Sequence, residues 1–186
     1  MKKAAIACLI PVLITAMLLA GCGGGSGGSG GAKDTLTGST EDILNSVVDG
    51  ANKLLPEDSQ LAAAFTDAVT ADSAQNALGL SPDDFTKYVS EAYVSTAAIM
   101  TFAHQVALMK CKDFSSAAQV KSLVAAGFDS NKWICVWPDK SFVADSGSYV
   151  LLVASTSAGA DALLESFKTL ANNNVGEVNT FFTGAQ

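Results

Sequence analysis

The chain contains no arginine; all eleven of its basic residues are lysine. Arginine's planar fork is the preferred donor to phosphates and base edges. Its absence, with 18 acidic residues and a formal net charge of −7, argues against a nucleic-acid partner and against charge-driven binding to anionic lipid. Histidine occurs once, at His104, so neither an H-E-x-x-H motif nor a histidine pair can build a zinc site. No metal and no cofactor is expected. Beyond Ala20 no apolar run is long enough to span a bilayer, which needs about 20 residues.

What is present begins with targeting chemistry. Lys2 and Lys3 precede an apolar run from Ala4 to Ala20, interrupted once by Pro11. The run is followed by polyglycine where a stop-transfer segment would carry charge, so an uncleaved anchor helix is the weaker reading. Leu19-Ala20-Gly21-Cys22 has the form of a lipobox: an aliphatic residue, two small residues that let the scissile backbone lie extended, and a cysteine whose thiol accepts the diacylglyceryl group. Two acyl chains, each CH₂ contributing about 0.8 kcal/mol, give stable attachment where one chain is marginal. The sequence therefore predicts a signal peptide over residues 1–21 and a lipidated Cys22. Loss of Lys2 and Lys3 with the signal takes the charge from −7 to −9. The partner implied is the membrane, through the anchor, with another envelope protein or a small ligand engaged by the domain.

Residues 22–38 read as lipidated cysteine and tether, because Gly23–Gly31 holds only glycine and serine. About 16 such residues reach roughly 20–24 Å, which keeps the domain close to its membrane. A single domain over 39–174 and a loose tail over 175–186 complete the expected organisation.

Within the domain, Ser39 or Thr40 caps a first helix carrying Ile43, Val47 and Ala51, stopped by Pro56. Leu61, Phe65 and Val69, at i, i+4 and i+8, predict a second helix. Ser81-Pro82-Asp83-Asp84 starts a short one, with proline at the first position and acids in the first turn. Gln105–Lys112 reads as a strand with Val106 and Leu108 on one face and Ala107, Met109 and Cys111 on the other. Ser116 and Gln119 have capping-box spacing for a helix holding Val120, Leu123 and Val124 and closed by Gly127. Trp133–Trp137 (WICVW) predicts a strand ended by Pro138. Phe142 and Val143 predict another, turning at Asp145-Ser146-Gly147 into Tyr149–Ala154. A last helix runs from about Ala158 with Leu163 and Phe167 inward, ended by Asn172–Asn174. The order implies an α+β domain: an antiparallel sheet with helices packed on it, covered on one face.

The lipobox, the glycine-rich tether, Leu80–Tyr88, Tyr93-Val94-Ser95-Thr96, Lys110-Cys111-Lys112-Asp113 and Gly147-Ser148-Tyr149-Val150-Leu151 are the features of a resemblance. Over about residues 40–172 the chain resembles an uncharacterised family of Gram-positive bacterial lipoproteins, domain of unknown function 4358. The resemblance implies location and fold. It carries no catalytic or ligand residue onto this chain.

Candidate chemistry is sparse. Asp145-Ser146-Gly147 after His104 has the chain order of a His-Asp-Ser triad. Ala144 stands where a glycine would precede that aspartate, and a hairpin turn accounts for the three residues. Asp83-Asp84 is a carboxylate pair that the helix dipole explains. Cys111 and Cys135 are not a C-x-x-C pair; buried free thiols are favoured over a disulfide, which an extracytoplasmic location would permit. Trp133 and Trp137 share a face with Cys135 and read as core, the alternative being an exposed pair that stacks on sugar rings. No catalytic residue is assigned. The reading is a non-enzymatic binding or accessory module at the membrane's outer face, against a surface-tethered hydrolase or a small solute-binding component.

Overall fold

The computed structural model describes residues 33–62, 64–99 and 103–184. Leu19, Ala20, Gly21, Cys22 and the Gly23–Gly31 stretch lie outside the described residues.

The first helix, α1 (Thr40–Leu54), starts where its cap dictates: the Asp42 N–H donates to Ser39 Oγ at 3.1 Å. Ile43, Leu44, Val47 and Ala51 form its buried stripe. The next segment corrects the sequence reading. Leu61, Phe65 and Val69 do not form a helix; Ala64–Ala68 is strand β1 and Phe65 is 65% exposed. Offsets of four and eight are also even, so the three residues match one face of a strand as well as one face of a helix. Tertiary pairing decides: Asp67 sits opposite Val94 and Ala68 opposite Tyr93 of β2 (Val89–Ala97).

Between them lie α2 (Ala71–Leu78), absent from the sequence reading, and α3 (Pro82–Tyr88), capped by Ser81 as expected. Gly79 closes α2 in the left-handed region, φ +75°, and a Cβ there would meet the Gly127 carbonyl carbon at 2.3 Å. The C-terminal ends of α2 and α4 (Phe114–Gly127) therefore touch backbone to backbone. The α4 cap is Asp113, whose Oδ1 accepts from Ser116 N–H at 2.7 Å, and not Ser116 itself.

Strands β3 (Gln105–Cys111), β4 (Lys140–Ser146), β5 (Tyr149–Ser155) and β6 (Asn179–Thr183) complete a six-stranded antiparallel sheet in the order β1-β2-β3-β5-β4-β6. The two-residue turn Gly147-Ser148 joins β4 to β5, with Gly147 at φ +60°. The alternation read from β3 holds. Val106 and Leu108 pack with α1 and with α5 (Ser157–Leu170); Ala107, Met109 and Cys111 pack with α2 and α4. The sheet is thus covered on both faces, a correction to the single covered face expected. The wholly buried β5 sits between the two layers, which explains its unbroken apolar run.

Three boundaries also change. The tail beyond residue 174 is not loose, because β6 pairs with β4 and Gly176 N–H donates to the Asp145 carbonyl at 2.8 Å. Residues 33–38, assigned to the tether, lie on the domain: Leu36 is buried with α1 and α5, and Thr35 Oγ1 donates to the Ala171 carbonyl at 2.9 Å. WICVW is not a strand. It lies in the loop between α4 and β4, since β6 already occupies the outer edge of β4.

Candidate functional site

The two ends of the sheet differ in what they hold. At the β4–β5 turn, Asp34 grips the chain: its Oδ1 accepts from Ser148 N–H at 2.7 Å and its Oδ2 from Ser148 Oγ at 2.9 Å. Asn174 Nδ2 adds a bond to the Lys33 carbonyl at 3.0 Å. Glycine at 147 is what admits this latch, because a Cβ there would lie 2.3 Å from Asp34 Oδ1. From Tyr149 to Ser155 the sheet runs six residues, about 20 Å, to its opposite end. Clefts open there on both faces of the sheet; besides one at His104 and one at Lys132, a third, about 440 Å³, lies between α1 and β1 with Asn45, Asn52 and Thr66 in its walls.

The first cleft, about 370 Å³, lies between the segment after α1 and the start of α5; its walls include Asp58, Leu61, His104, Ser155, Thr156 and Ala158. His104 precedes β3 and Ser155 ends β5, so antiparallel pairing brings together residues 51 apart in sequence. Nδ1 of His104 lies 3.0 Å from Ser155 Oγ, while its buried Nε2 has no partner among the described residues. A serine hydroxyl donating to Nδ1 leaves only the Nε2–H unsatisfied; the reverse tautomer leaves two groups unsatisfied. Burial pushes the imidazole down to about 4, so it is neutral at pH 7. Among the described residues no carboxylate is hydrogen-bonded to this ring, the arrangement that activates a serine nucleophile in a triad.

Two of the first backbone donors of α5 are already taken. Asp139 Oδ2 accepts from Ser157 N–H at 3.0 Å and Thr156 Oγ1 from Gly159 N–H at 3.2 Å.

The second cleft, about 350 Å³, lies over β1, β2 and β3 on the other face, walled by Asp67, Asn76, Val94, Thr96, Lys132 and Trp133. Lys132 Nζ donates to the Asn76 carbonyl at 2.9 Å and to Gln105 Oε1 at 2.5 Å. Its ammonium also stands 4.8 Å from the Phe128 ring centroid and 5.2 Å from that of Trp133. Burial pulls Lys132 down to about 8, against the opposing charge of Asp129.

The residues singled out from the sequence fall as follows. Asp145 and Ser146 are buried at the latch end of β4, about 20 Å along the sheet from His104, so no triad exists. Lys121 pairs with Asp145 at 2.7 Å, which offsets the cost of burying that carboxylate. Asp84 accepts from Ser81 Oγ at 2.6 Å as part of a helix cap. Cys111 is buried on β3, and burial followed by the charges of Asp113 and Asp145 pushes its thiol up to about 12. Cys135 is exposed in the WICVW loop, and the two thiols are unbonded, so the pair is not jointly buried. The tryptophans part company: Trp133 is half-buried edge-on to Phe128, with centroids 6.4 Å apart, while Trp137 is 57% exposed beside Ile134 at 86%. Sequence reasoning missed Ser155, Gln105 and Lys132, whose roles arise only from strand pairing and the α4–β4 loop.

Comparison with models of known families, with characterised proteins and with solved structures finds no match to this chain.

Proposed function

We propose that the chain is an extracytoplasmic lipoprotein, held to the cell membrane by a diacylglyceryl group on Cys22, whose folded domain is a non-enzymatic binding module. The observation that supports this best is the placement of its entry. Asp34 fastens the chain at one end of the sheet, and the His104 and Lys132 clefts open at the other, about 20 Å away. An anchor on Cys22 would lie eleven residues before Lys33, a reach of about 17–20 Å for a flexible glycine-rich segment. The anchored end then faces the bilayer, and the clefts face solvent, envelope protein or small ligand. Among the described residues no helix is long and apolar enough to cross a membrane. Membership of the lipoprotein family named above is part of this proposal and rests on the sequence features alone.

A second reading, a surface-tethered hydrolase, is favoured by one contact, the 3.0 Å approach of Ser155 to His104. The depressed histidine and the burial of both side chains weigh against it.

Metabolic labelling with a fatty-acid analogue tests the anchor. The wild-type chain should take label and Cys22→Ser should not, accumulating instead as precursor. Label retained in the variant would overturn the assignment of Cys22.

A further inference from the structure

We propose that the Lys132 cleft binds a short peptide with free termini, holding its carboxylate on Lys132 and its ammonium on Asp67. The inference deepens the binding-module reading above and rests on it.

Three observations carry it. First, a lysine ammonium has three donors, and here two are used, on the Asn76 carbonyl and Gln105 Oε1. Among the described residues no carboxylate lies within ion-pair distance of Lys132. In a chain with 18 acidic residues and 11 basic ones, a cation hydrogen-bonded in a cleft only by neutral acceptors, with Asp129 acting on it from beyond ion-pair distance, has room for an incoming anion. Partial burial disfavours its charge, and a ligand carboxylate would restore it.

Second, the same cleft carries the opposite charge at its other side. Asp67, on edge strand β1, is exposed and faces Val94 across the β1–β2 pair. A simple anion would be repelled both by Asp67 and by the whole acidic chain. A ligand with one charge of each sign meets complementary partners at both ends and carries no net charge into that field.

Third, the dimensions suit a dipeptide. Asp67 and Gln105 stand two strands apart and two pairing positions along, a Cα separation of about 12 Å. Two extended residues span about 7 Å, and a hydrogen bond of about 2.9 Å at each end brings this to about 13 Å. Val94 and the Trp133 ring offer apolar surface to a ligand side chain between the charges. Thr96 stands beside them for its amide.

The test uses the full chain, extracted from membranes in detergent and carrying Trp137→Phe, so that Trp133 alone reports by its fluorescence. The probes are the dipeptide Ala-Leu, its N-acetyl form and its C-terminal amide. Saturable change with Ala-Leu is expected, with each blocked form at least tenfold weaker. Asp67→Asn should weaken the free peptide at least tenfold while leaving the N-acetyl form unchanged, and Lys132→Met should do the same with respect to the amide. Asp67 is exposed, so its variant keeps the test valid if Lys132→Met fails to fold. Equal binding of free and blocked peptides, or no saturable response to Ala-Leu, would overturn the proposal. Lipid labelling on Cys22 is read separately, so failure of the peptide site and failure of the anchored-module reading are distinguishable.

Discussion

His104 gives the prediction with the best-defined magnitude. Its imidazole is buried against Ser155 and held near 4, whereas an unfolded chain exposes it at 6.5. Because the folded value is the lower one, the unfolded state binds the proton first, and stability is lost as pH falls from 6.5 towards 4. Between pH 7.5 and 4.5 this difference removes about 2.5 kcal/mol, at 1.36 kcal/mol per unit. His104→Gln keeps a polar side chain and removes the titration. It should cost about 1 kcal/mol at pH 7.5, where the bond to Ser155 is lost or weakened. Urea unfolding of both forms across that range is the assay. The wild type should lose about 2.5 kcal/mol more than the variant on acidification, so that the two curves cross. Parallel curves would refute the argument, since they would mean that His104 titrates as an exposed histidine and that the first cleft lacks its desolvated pair.

Four further outcomes follow from particular contacts. Gly147→Ala places a Cβ on Asp34 and strains a left-handed residue, so it should destabilise by about 1–2 kcal/mol or more and lower the midpoint of thermal unfolding. Asp34→Ala should also destabilise, and the two effects should not add, because both release the same latch; additivity would contradict the contact. A fluorophosphonate probe should leave Ser155 and Ser146 unlabelled in the native protein, and labelling abolished by Ser155→Ala would favour the hydrolase. Phe167→Ala, in the core between α1, α5 and the sheet, should cost about 3–5 kcal/mol in urea unfolding.

Much of this fold is legible in the sequence where one period has no competitor. The two faces of β3 can be separated residue by residue because alternation there serves two different cores, and Ser39 and Ser81 announce themselves by local hydrogen bonding; the hairpin read at Asp145-Ser146-Gly147 exists but turns at Gly147-Ser148, with Asp145 and Ser146 in β4. The failures have equally local causes. Leu61, Phe65 and Val69 fit both periods, so only the partner strand β2 could decide between them. WICVW has strand composition, but β6 already pairs with the outer edge of the adjacent β4, and Trp133 packs on Phe128 instead. The tail gave no strong signal because β6 is a short edge strand with a half-exposed pattern. The clefts were illegible for a different reason. His104 meets Ser155, and Lys132 meets Gln105 and Asn76, across separations that only the finished sheet and the α4–β4 loop close.

The central claim, an anchored domain with its clefts turned outward, can be tested through the thiols. Cys135 is exposed in the loop at the cleft end, whereas Cys111 is buried and held far from its thiolate form. A membrane-impermeant maleimide applied to intact cells should label one thiol per chain, the label should vanish in Cys135→Ser, and Cys111 should react only after unfolding. Labelling that appears only when the cells are lysed would place the domain inside the cell and contradict the account.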